Sequence, residues 1–174
     1  MNPAQNTSDL LYIDGLRVWF PVSRPLSLWR TGPAQYLRAV DGVSLRMAPG
    51  EVLGIVGESG CGKSTTGKAL MQLPTPTAGE VWFEGRDLTK LKGEALRQIR
   101  PRIQMIFQDP ISSLNPRRKI GEIVGEPMKI WTRGDKAAQQ KTVTEVLEAV
   151  GIDPEADAIR RPHEFSGGQC QRIS

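Results

Sequence analysis

The first fifty residues carry two stretches with the composition of β-strands. Residues 10–20 combine aliphatic and aromatic side chains, and residues 37–47 partly alternate, which places Val43 and Leu45 on one face. Residues 21–37 contain three prolines and a glycine and predict a loop that forms an insertion. The polar residues 1–9 predict a disordered lead-in. The chain is therefore expected to open with an antiparallel sheet.

A continuous apolar run follows at residues 52–56, Val-Leu-Gly-Ile-Val. Such a run is typical of a parallel strand that is buried on both faces. Good helix formers then predict a helix from Ser64 to Leu73, which Pro74 ends. The same criteria predict a strand over 80–83, a helix over 93–100 and a second buried strand over 102–108.

The second half of the chain is predicted to be mainly helical. Residues 109–116 are expected to form a loop, because each proline in them disfavours a helical conformation at the residue before it. Helices are expected over 120–130, with a kink at Pro127, and from the N-cap Asp135 to Val150, where Gly151 is the predicted stop. One apolar stripe on the second helix is formed by Val143, Val146, Leu147 and Val150.

The stretch with recognisable chemistry lies between the first buried strand and the helix after it. Residues 57–65 fit the pattern G-x-x-x-x-G-K-[ST]. Glycines in such a loop let backbone N–H groups curl around phosphates, and the following helix directs its positive end at the same anion. Lys63 is expected to reach the β- and γ-phosphates, and Ser64 to offer its hydroxyl to Mg²⁺. The predicted nucleotide-binding residues are Gly57, Glu58, Ser59, Gly60, Cys61, Gly62, Lys63, Ser64 and Thr65.

Composition narrows the classes of protein without identifying one. A net charge of +4 with scattered basic residues weakly indicates a polyanionic neighbour. Cys61 and Cys170 belong to no C-x-x-C or Cys/His cluster, which argues against a zinc site or a disulfide and favours a reducing cytosol. The sequence contains neither a signal peptide nor an apolar run long enough to span a bilayer, so membrane association is expected to come through a partner.

A second glycine motif lies near residue 170. In Phe165-Ser166-Gly167-Gly168-Gln169, two glycines follow a serine that can start a helix, and they again present bare N–H groups to an anion. About a hundred residues after a phosphate loop, this string resembles the signature sequence of ABC transporter ATPases. Gln108, at the end of a predicted strand, is similarly placed to the Q-loop residue of that family. The string Ser113-Leu114-Asn115-Pro116-Arg117 most resembles the branch that serves dipeptide, oligopeptide and nickel importers.

The resemblance implies a fold and a division of the chain. The fold class is α/β: a RecA-like P-loop NTPase core with an N-terminal antiparallel β-subdomain and an inserted α-helical subdomain, truncated at the C-terminal end. Residues 1–108 would hold the β-subdomain and the ATP-binding core up to the Q-loop. Residues 109–174 would form the helical subdomain and end in the signature motif.

The resemblance also implies a mechanism with ATP and Mg²⁺ as ligands. Two ATPase subunits, identical or different, would meet head to tail, with each ATP between residues 57–65 of one copy and 166–169 of the other. Ser166, Gly167, Gly168 and Gln169 would then complete the nucleotide site. Lys63 and Gln108 would be the catalytic residues, and Ser64 and Gln108 would complete the Mg²⁺ and water environment. Phe20 is the first choice for the aromatic residue that stacks on adenine, and Tyr36 is the second.

The partners follow from the same resemblance. Transmembrane permease subunits would dock around residues 109–128, a substrate-binding protein would act indirectly, and no nucleic acid is expected. The protein would lie peripherally at the cytoplasmic face of the plasma (inner) membrane. The alternatives are an importer of nickel or other cargo, a soluble ABC-type ATPase acting on nucleic acid or ribosomes, and a small-molecule kinase. The family's Walker B acids and switch histidine lie beyond Ser174, and His163 precedes the signature. The chain as given is therefore expected to be a fragment without useful ATP hydrolysis.

Overall fold

The computed structural model describes residues 9–22, 35–131 and 134–174. The chain forms two compact units, residues 1–104 and residues 105–174, which are called the first unit and the second unit below. The predicted lead-in, apart from its last residue, and residues 23–34 of the predicted loop lie outside the described residues. Each unit has its own cluster of buried apolar side chains.

An antiparallel sheet of four strands is the framework of the first unit, which confirms the expected antiparallel opening of the chain. The strand order is β2-β1-β3-β4, so β1 pairs with both β2 and β3. Ile13, Leu16 and Val18 of β1 are buried in the core; Leu16 and Val18 alternate on one face, and an irregularity at Gly15 brings Ile13 to the same side. The strands are β1 (Leu11–Pro21), β2 (Tyr36–Met47), β3 (Ala78–Phe83) and β4 (Arg86–Asp87). Both ends of the predicted loop over 21–37 thus belong to strands.

Among its described residues, the first unit also contains two short α-helices. They are α1 (Lys63–Leu70) and α2 (Gly93–Ile99), and single 3₁₀ turns cover Leu88–Lys90 and Arg100–Arg102. Helix α1 ends at Leu70 rather than at the predicted Leu73. Gln72 adopts a left-handed conformation (φ 55°), and the N–H of Leu73 bonds back to the carbonyl of Lys68. The chain therefore leaves the helix before Pro74 can end it.

The predicted buried strands over 52–56 and 102–108 are not formed, so this prediction was wrong. In the part of the chain that the structure describes, neither segment pairs with a strand. Val52 and Val56 are 95% and 96% exposed, and Ile106 is 76% exposed. A parallel strand is stable only with a hydrogen-bonded neighbour and with cover on its faces. None of the four strands supplies that neighbour, so the apolar pattern alone does not make these segments strands.

The second unit is helical, as predicted. Its helices are α3 (Pro110–Ser113), α4 (Ile120–Ile130), α5 (Lys136–Ala149) and α6 (Gly167–Ile173), with a 3₁₀ turn over Pro162–Glu164. The Asp135 side chain accepts a hydrogen bond from the Ala138 N–H at 2.8 Å, and Gly151 takes φ 68° after α5. Both predicted ends of this helix are confirmed. Its stripe is buried at Val143 and Leu147, whereas Val146 is exposed.

The loop predicted over 109–116 contains a helical turn instead, α3. Asp109 is extended (φ −106°, ψ 100°), as a residue before proline should be. Its carboxylate accepts hydrogen bonds from the N–H groups of Ile111 and Ser112 and so caps the turn that begins at Pro110. Proline disfavours a helical conformation at the residue before it, but proline itself is favoured at the first helical position. The prediction of a loop was therefore wrong for Pro110–Ser113.

No helix among the described residues has both the length and the apolar character needed to cross a bilayer.

The buried carboxylate of Asp87 lies at the end of strand β4 and caps the 3₁₀ turn that follows it. Its Oδ1 accepts hydrogen bonds from the Thr89 N–H at 3.0 Å and from the Thr89 hydroxyl at 2.6 Å. Lys90 Nζ forms an ion pair with its Oδ2 at 2.7 Å. Burial acts to raise the pKa of Asp87, but the interactions with Lys90 and Thr89 together outweigh it and lower that pKa below its ordinary value.

Asp87 should therefore make folding depend on acid pH. Because its pKa is lower in the folded state, its contribution is present above the unfolded pKa and is lost as the pH falls below about 4. We expect Asp87→Asn to lower the free energy of unfolding at pH 7 by about 1–2 kcal/mol and to flatten its decline between pH 5 and 2. Chemical denaturation at several pH values measures this. Glu94→Gln, which breaks the exposed ion pair with Arg97, is the control for removal of a carboxylate. A decline as steep in Asp87→Asn as in the wild type would contradict the assignment.

Candidate functional site

The loop over 57–65 has the backbone shape that its glycines predict. Gly60 (φ 84°) and Gly62 (φ 98°) both lie in the left-handed region, where residues with a side chain are strained. The N–H of Cys61 closes a turn onto the carbonyl of Glu58 at 3.3 Å. The loop therefore curls back on itself directly before α1 begins at Lys63.

Other atoms closely approach two of the glycines, and at Gly62, where the atom belongs to the backbone, the contact requires glycine. A Cβ on Gly62 would lie 2.3 Å from the carbonyl oxygen of Ala39, and a Cβ on Gly57 would lie 2.7 Å from the Sγ of Cys61. Gly62 thus seats the loop on strand β2, and Gly57 leaves room for the Cys61 side chain. Neither contact could be read from the sequence, because each depends on which strand the loop packs against.

Strand β2 is irregular at the point where the loop contacts it. Val18 pairs with Val40, but Trp19 pairs with Arg38, so Ala39 is an extra residue in β2. Such a bulge bends the strand and redirects its carbonyl groups. The Ala39 carbonyl is the group that Gly62 approaches. The hairpin of β1 and β2 and the phosphate loop therefore meet at one point.

Lys63 folds back over the loop. Its ammonium donates hydrogen bonds to the carbonyl oxygens of Gly57 and Glu58, each at 2.7 Å, and lies 3.6 Å from the Sγ of Cys61. The charge of Lys63 is thereby held at the concave side of the loop, and none of its partners among the described residues is a carboxylate. This placement is compatible with an anion bound in the loop.

The start of α1 is left without a protein cap. Its N-cap residue is Gly62, no side chain caps it, and its first turn contains no acidic residue. In an α-helix the first N–H groups have no partner within the helix, so those of α1 remain available to an anion. The hydroxyls of Ser64 and Thr65 make no hydrogen bond to the described residues. These groups fit a bound phosphate chain, and a hydroxyl such as that of Ser64 fits a Mg²⁺ ligand.

Thr66 was missed by the sequence analysis. Unlike Ser64, it is buried (5% exposed), and its hydroxyl donates to the carbonyl oxygen of Gly62 at 3.0 Å. A third hydroxyl residue after the lysine was the only signal in the sequence, and the pattern G-x-x-x-x-G-K-[ST] does not include it.

The two candidate aromatic residues lie on opposite faces of the hairpin. Phe20 is two residues from Val18 on β1, so it shares the face of Val18, which pairs with Val40 beside Gly62. The ring of Tyr36 lies 6.4 Å from that of Trp19, on the other face. Phe20 is 38% exposed and therefore available for stacking.

Gln108 lies in the second unit, is exposed, and follows the extended segment that was expected to be a strand. The expectation that it ends a strand was wrong for the reason given above. It directly precedes the capping residue Asp109. Hydrogen bonds from the Ser112 hydroxyl and from the N–H groups of Ser112 and Ile111 lower the pKa of Asp109 against a smaller effect of burial. Asp109 therefore stays ionised and fixes the chain directly after Gln108.

The second glycine motif starts helix α6. Ser166 is its N-cap, and its hydroxyl oxygen accepts a hydrogen bond from the N–H of Gln169 at 3.3 Å. The Oε1 of Gln169 accepts in return from the N–H (2.9 Å) and the hydroxyl (3.0 Å) of Ser166. This reciprocal arrangement is a capping box. The Gln169 side chain is thus engaged with Ser166 within the chain.

Gly167 and Gly168 are exposed, and no atom lies within 4 Å of the position of a Cβ on either. Glycine in a helix costs about 1 kcal/mol relative to alanine. No contact among the described residues requires glycine at these two positions. Open space over two helical glycines is compatible with the approach of another molecule.

The residues around this motif are anchored by the core of the second unit. Phe165 is buried, and Cys170 is fully buried with its Sγ 3.4 Å from the carbonyl oxygen of Pro162. His163 is exposed, as expected for a surface residue. Among the described residues, no group of three or more histidines, cysteines or acidic residues could hold a metal ion.

Comparison with known proteins gives the context of these motifs. The family model "ABC transporter" matches residues 40–174. The oligopeptide transport ATP-binding protein AppF of Bacillus subtilis is 44% identical over 98% of this chain and 51% of its own length. The corresponding protein OppF of Salmonella typhimurium is 48% identical over 94% of this chain and 49% of its own length. The chain spans about half the length of the curated relatives it matches.

A solved structure agrees with the sequence comparison. It is a dimeric, post-hydrolysis state of an ATP-binding cassette bound to ADP and Pi. It is 27% identical to this chain, covers 94% of it and 66% of the solved chain, and superposes with a TM-score of 0.75. The expected fold class is confirmed. The match over residues 40–174 contains the phosphate loop, Gln108 and the second glycine motif, and the chain belongs to the ABC transporter family.

Proposed function

We propose that this chain is the ATP-binding part of a subunit that drives an importer of oligopeptides or dipeptides. The observation that carries the proposal is the phosphate loop, in which two left-handed glycines, an inward-folded Lys63 and an uncapped helix start converge. ATP would bind with its phosphates against these groups, and Mg²⁺ would be held by Ser64 and Gln108. When bound, Mg²⁺ supplies charge neutralisation on the phosphates.

The relatives favour transport over the alternatives. AppF and OppF are named oligopeptide transport ATP-binding proteins, and DppF of Haemophilus influenzae, 40% identical over 99% of this chain, is named a dipeptide transport ATP-binding protein. None of these names refers to nucleic acid, ribosomes or a small-molecule kinase. Peptide cargo is therefore proposed ahead of nickel, and cargo choice would belong to a substrate-binding protein and to permease subunits.

The nucleotide would be shared between two subunits. A second ATPase subunit, identical or different, would place its own Ser166, Gly167 and Gly168 on the γ-phosphate held by Lys63. The open space over both glycines supports this pairing, as does the dimeric state named for the solved relative. Gln169 would act here through Ser166. Lys63 and Gln108 remain the proposed catalytic residues.

A permease subunit would dock on the second unit, around residues 109–128. An open groove of about 320 Å³ lies in this unit. Its lining is mainly apolar and includes Phe107, Leu114, Val124, Pro127, Val146 and Val150. Such a groove suits one helix of a membrane protein. The protein would thereby be held peripherally at the cytoplasmic face of the plasma (inner) membrane.

The division of labour between the two parts of the chain follows. Residues 1–108 would contain the β-subdomain and the ATP-binding core, and residues 109–174 the helical subdomain with the signature motif. The phosphate loop lies in the first and the signature in the second. In this proposal, residues 1–108 of a subunit bind one nucleotide, and residues 109–174 contact the nucleotide that is bound to the partner subunit.

Removal of the lysine charge tests nucleotide binding. We expect Lys63→Met to raise the Kd for MgATP about 10- to 100-fold, because charge-assisted hydrogen bonds to phosphate are lost. Isothermal titration calorimetry measures the Kd. Lys68→Met, an exposed lysine on the same helix, is the matched control and should stay within about twofold of wild type. Equal affinities for Lys63→Met and wild type would refute the site.

Stacking on adenine distinguishes Phe20 from Tyr36. We expect Phe20→Ala to raise the Kd for ATP about five- to 150-fold, because a ring–base stack contributes about 1–3 kcal/mol, while the Kd for inorganic tripolyphosphate stays unchanged. Tyr36→Ala, on the other face of the hairpin, should leave both values within about twofold. The reverse pattern would assign the stack to Tyr36.

Substitution of Gly168 by alanine should have opposite effects on the stability of the fold and on the association of two subunits. Gly168→Ala is expected to stabilise the fold by about 0.5–1 kcal/mol, because alanine favours a helix and meets no atom there. It should weaken association of two copies in the presence of a non-hydrolysable ATP analogue, measured by sedimentation in the protein that contains the whole subunit. Thermal melts give the stability. Undiminished association would argue against a role of this glycine in sharing the nucleotide.

A further inference from the structure

Three consecutive hydroxyl residues follow Lys63, and the structure separates their roles. The hydroxyls of Ser64 and Thr65 make no hydrogen bond to the described residues, and Ser64 is exposed. The third residue, Thr66, is 5% exposed, and its hydroxyl is turned towards the chain. The first two are thus available to a ligand, while the third can act only through another residue.

The group that Thr66 contacts is the carbonyl of Gly62. This oxygen accepts both the Thr66 N–H at 2.8 Å and the Thr66 hydroxyl at 3.0 Å. Threonine often bonds the carbonyl four residues before it within a helix, where the bond has little consequence. Here the acceptor is the N-cap, the last residue of the loop, so the bond ties the loop to the helix.

The position of Gly62 decides where the N–H groups of the loop point. The peptide bond is planar, so a fixed Gly62 carbonyl also fixes the opposite direction of the Lys63 N–H. Gly62 is held on its other side by the Ala39 carbonyl of β2, where not even a methyl group would fit. The Thr66 hydroxyl and the bulge of β2 therefore hold this peptide from two sides.

The missing cap explains why such a support is useful. A helix start is normally fixed by a side chain that bonds its first N–H groups. No side chain does so in α1, and no acidic residue stands in its first turn. A cap of that kind would occupy the donors that phosphate must use. Thr66 holds the turn through a carbonyl and leaves those donors unoccupied.

We propose that Thr66 is a positioning residue of the phosphate loop: its buried hydroxyl orients the Gly62–Lys63 peptide for phosphate while it makes no contact with the nucleotide. This inference rests on the proposed nucleotide binding. It assigns a role to a residue outside the fixed positions of the loop pattern.

The test compares Thr66→Val, which keeps the shape and removes the hydroxyl, with Thr66→Ser, which restores the hydroxyl. We expect Thr66→Val to raise the Kd values for MgATP and for inorganic tripolyphosphate by the same factor, about five- to tenfold, and to leave the Kd for adenosine unchanged. Thr66→Ser should bind within about twofold of wild type. A purely structural role would weaken all three ligands or none.

The matched control is Thr142→Val in α5, whose hydroxyl likewise donates to a carbonyl four residues back, that of Ala138, at 3.1 Å. It should leave all Kd values unchanged. Calorimetry well below the melting temperature measures folded protein only, and Thr66→Ala replaces Thr66→Val if the latter does not fold.

The outcomes separate the two proposals. If the wild type binds no MgATP, the proposed function fails. If the wild type binds but Thr66→Val binds equally well, or Thr66→Ser binds as weakly as Thr66→Val, the role of Thr66 is refuted and nucleotide binding stands.

Discussion

The structure of the first unit depends on one constraint: the N–H groups that are to hold phosphate cannot be paired within the protein. A loop with unpaired donors has little to keep its shape, so its shape must come from groups that point away from the ligand. Gly62 rests against the Ala39 carbonyl, and its own carbonyl is held by Thr66. The ammonium of Lys63 donates to two carbonyl oxygens of the loop. It therefore also stabilises the loop through backbone acceptors and leaves the backbone N–H groups free for phosphate.

The same constraint links the sheet to the loop. The bulge at Ala39 serves as the seat of Gly62 and lies at the end of the hairpin that carries Phe20. The distance between the ring and the loop is therefore set by the register of β1 and β2. In the second unit, the start of α6 is held in a different way. Ser166 and Gln169 cap each other, and the glycines between them stay exposed. The starts of α1 and α6 are thus stabilised by different contacts.

Much of this was readable from the sequence, because local rules governed it. Asp135 and Gly151 delimit α5 as caps and stops should, and of the three loop glycines expected to take positive φ, Gly60 and Gly62 do so and Gly57 does not. The failures arose where distant residues decide. The apolar run at 52–56 has strand composition but no strand beside it, and its exposure follows from that lack. The Ala39 bulge and the inward turn of Thr66 depend on which elements meet, which no local pattern states. Pro110 shows a third kind of error, since the rule for prolines concerned Asp109 and not the residues after it.

The most direct measurement of the central claim is an amide-resolved NMR titration with MgATP. The account predicts that the N–H signals of residues 60 and 62–65 shift together at the lowest nucleotide concentrations, because those donors leave water for phosphate oxygens, and that exposed amides of α5 do not move. Saturable nucleotide binding that leaves the signals of residues 60 and 62–65 unchanged would contradict the account.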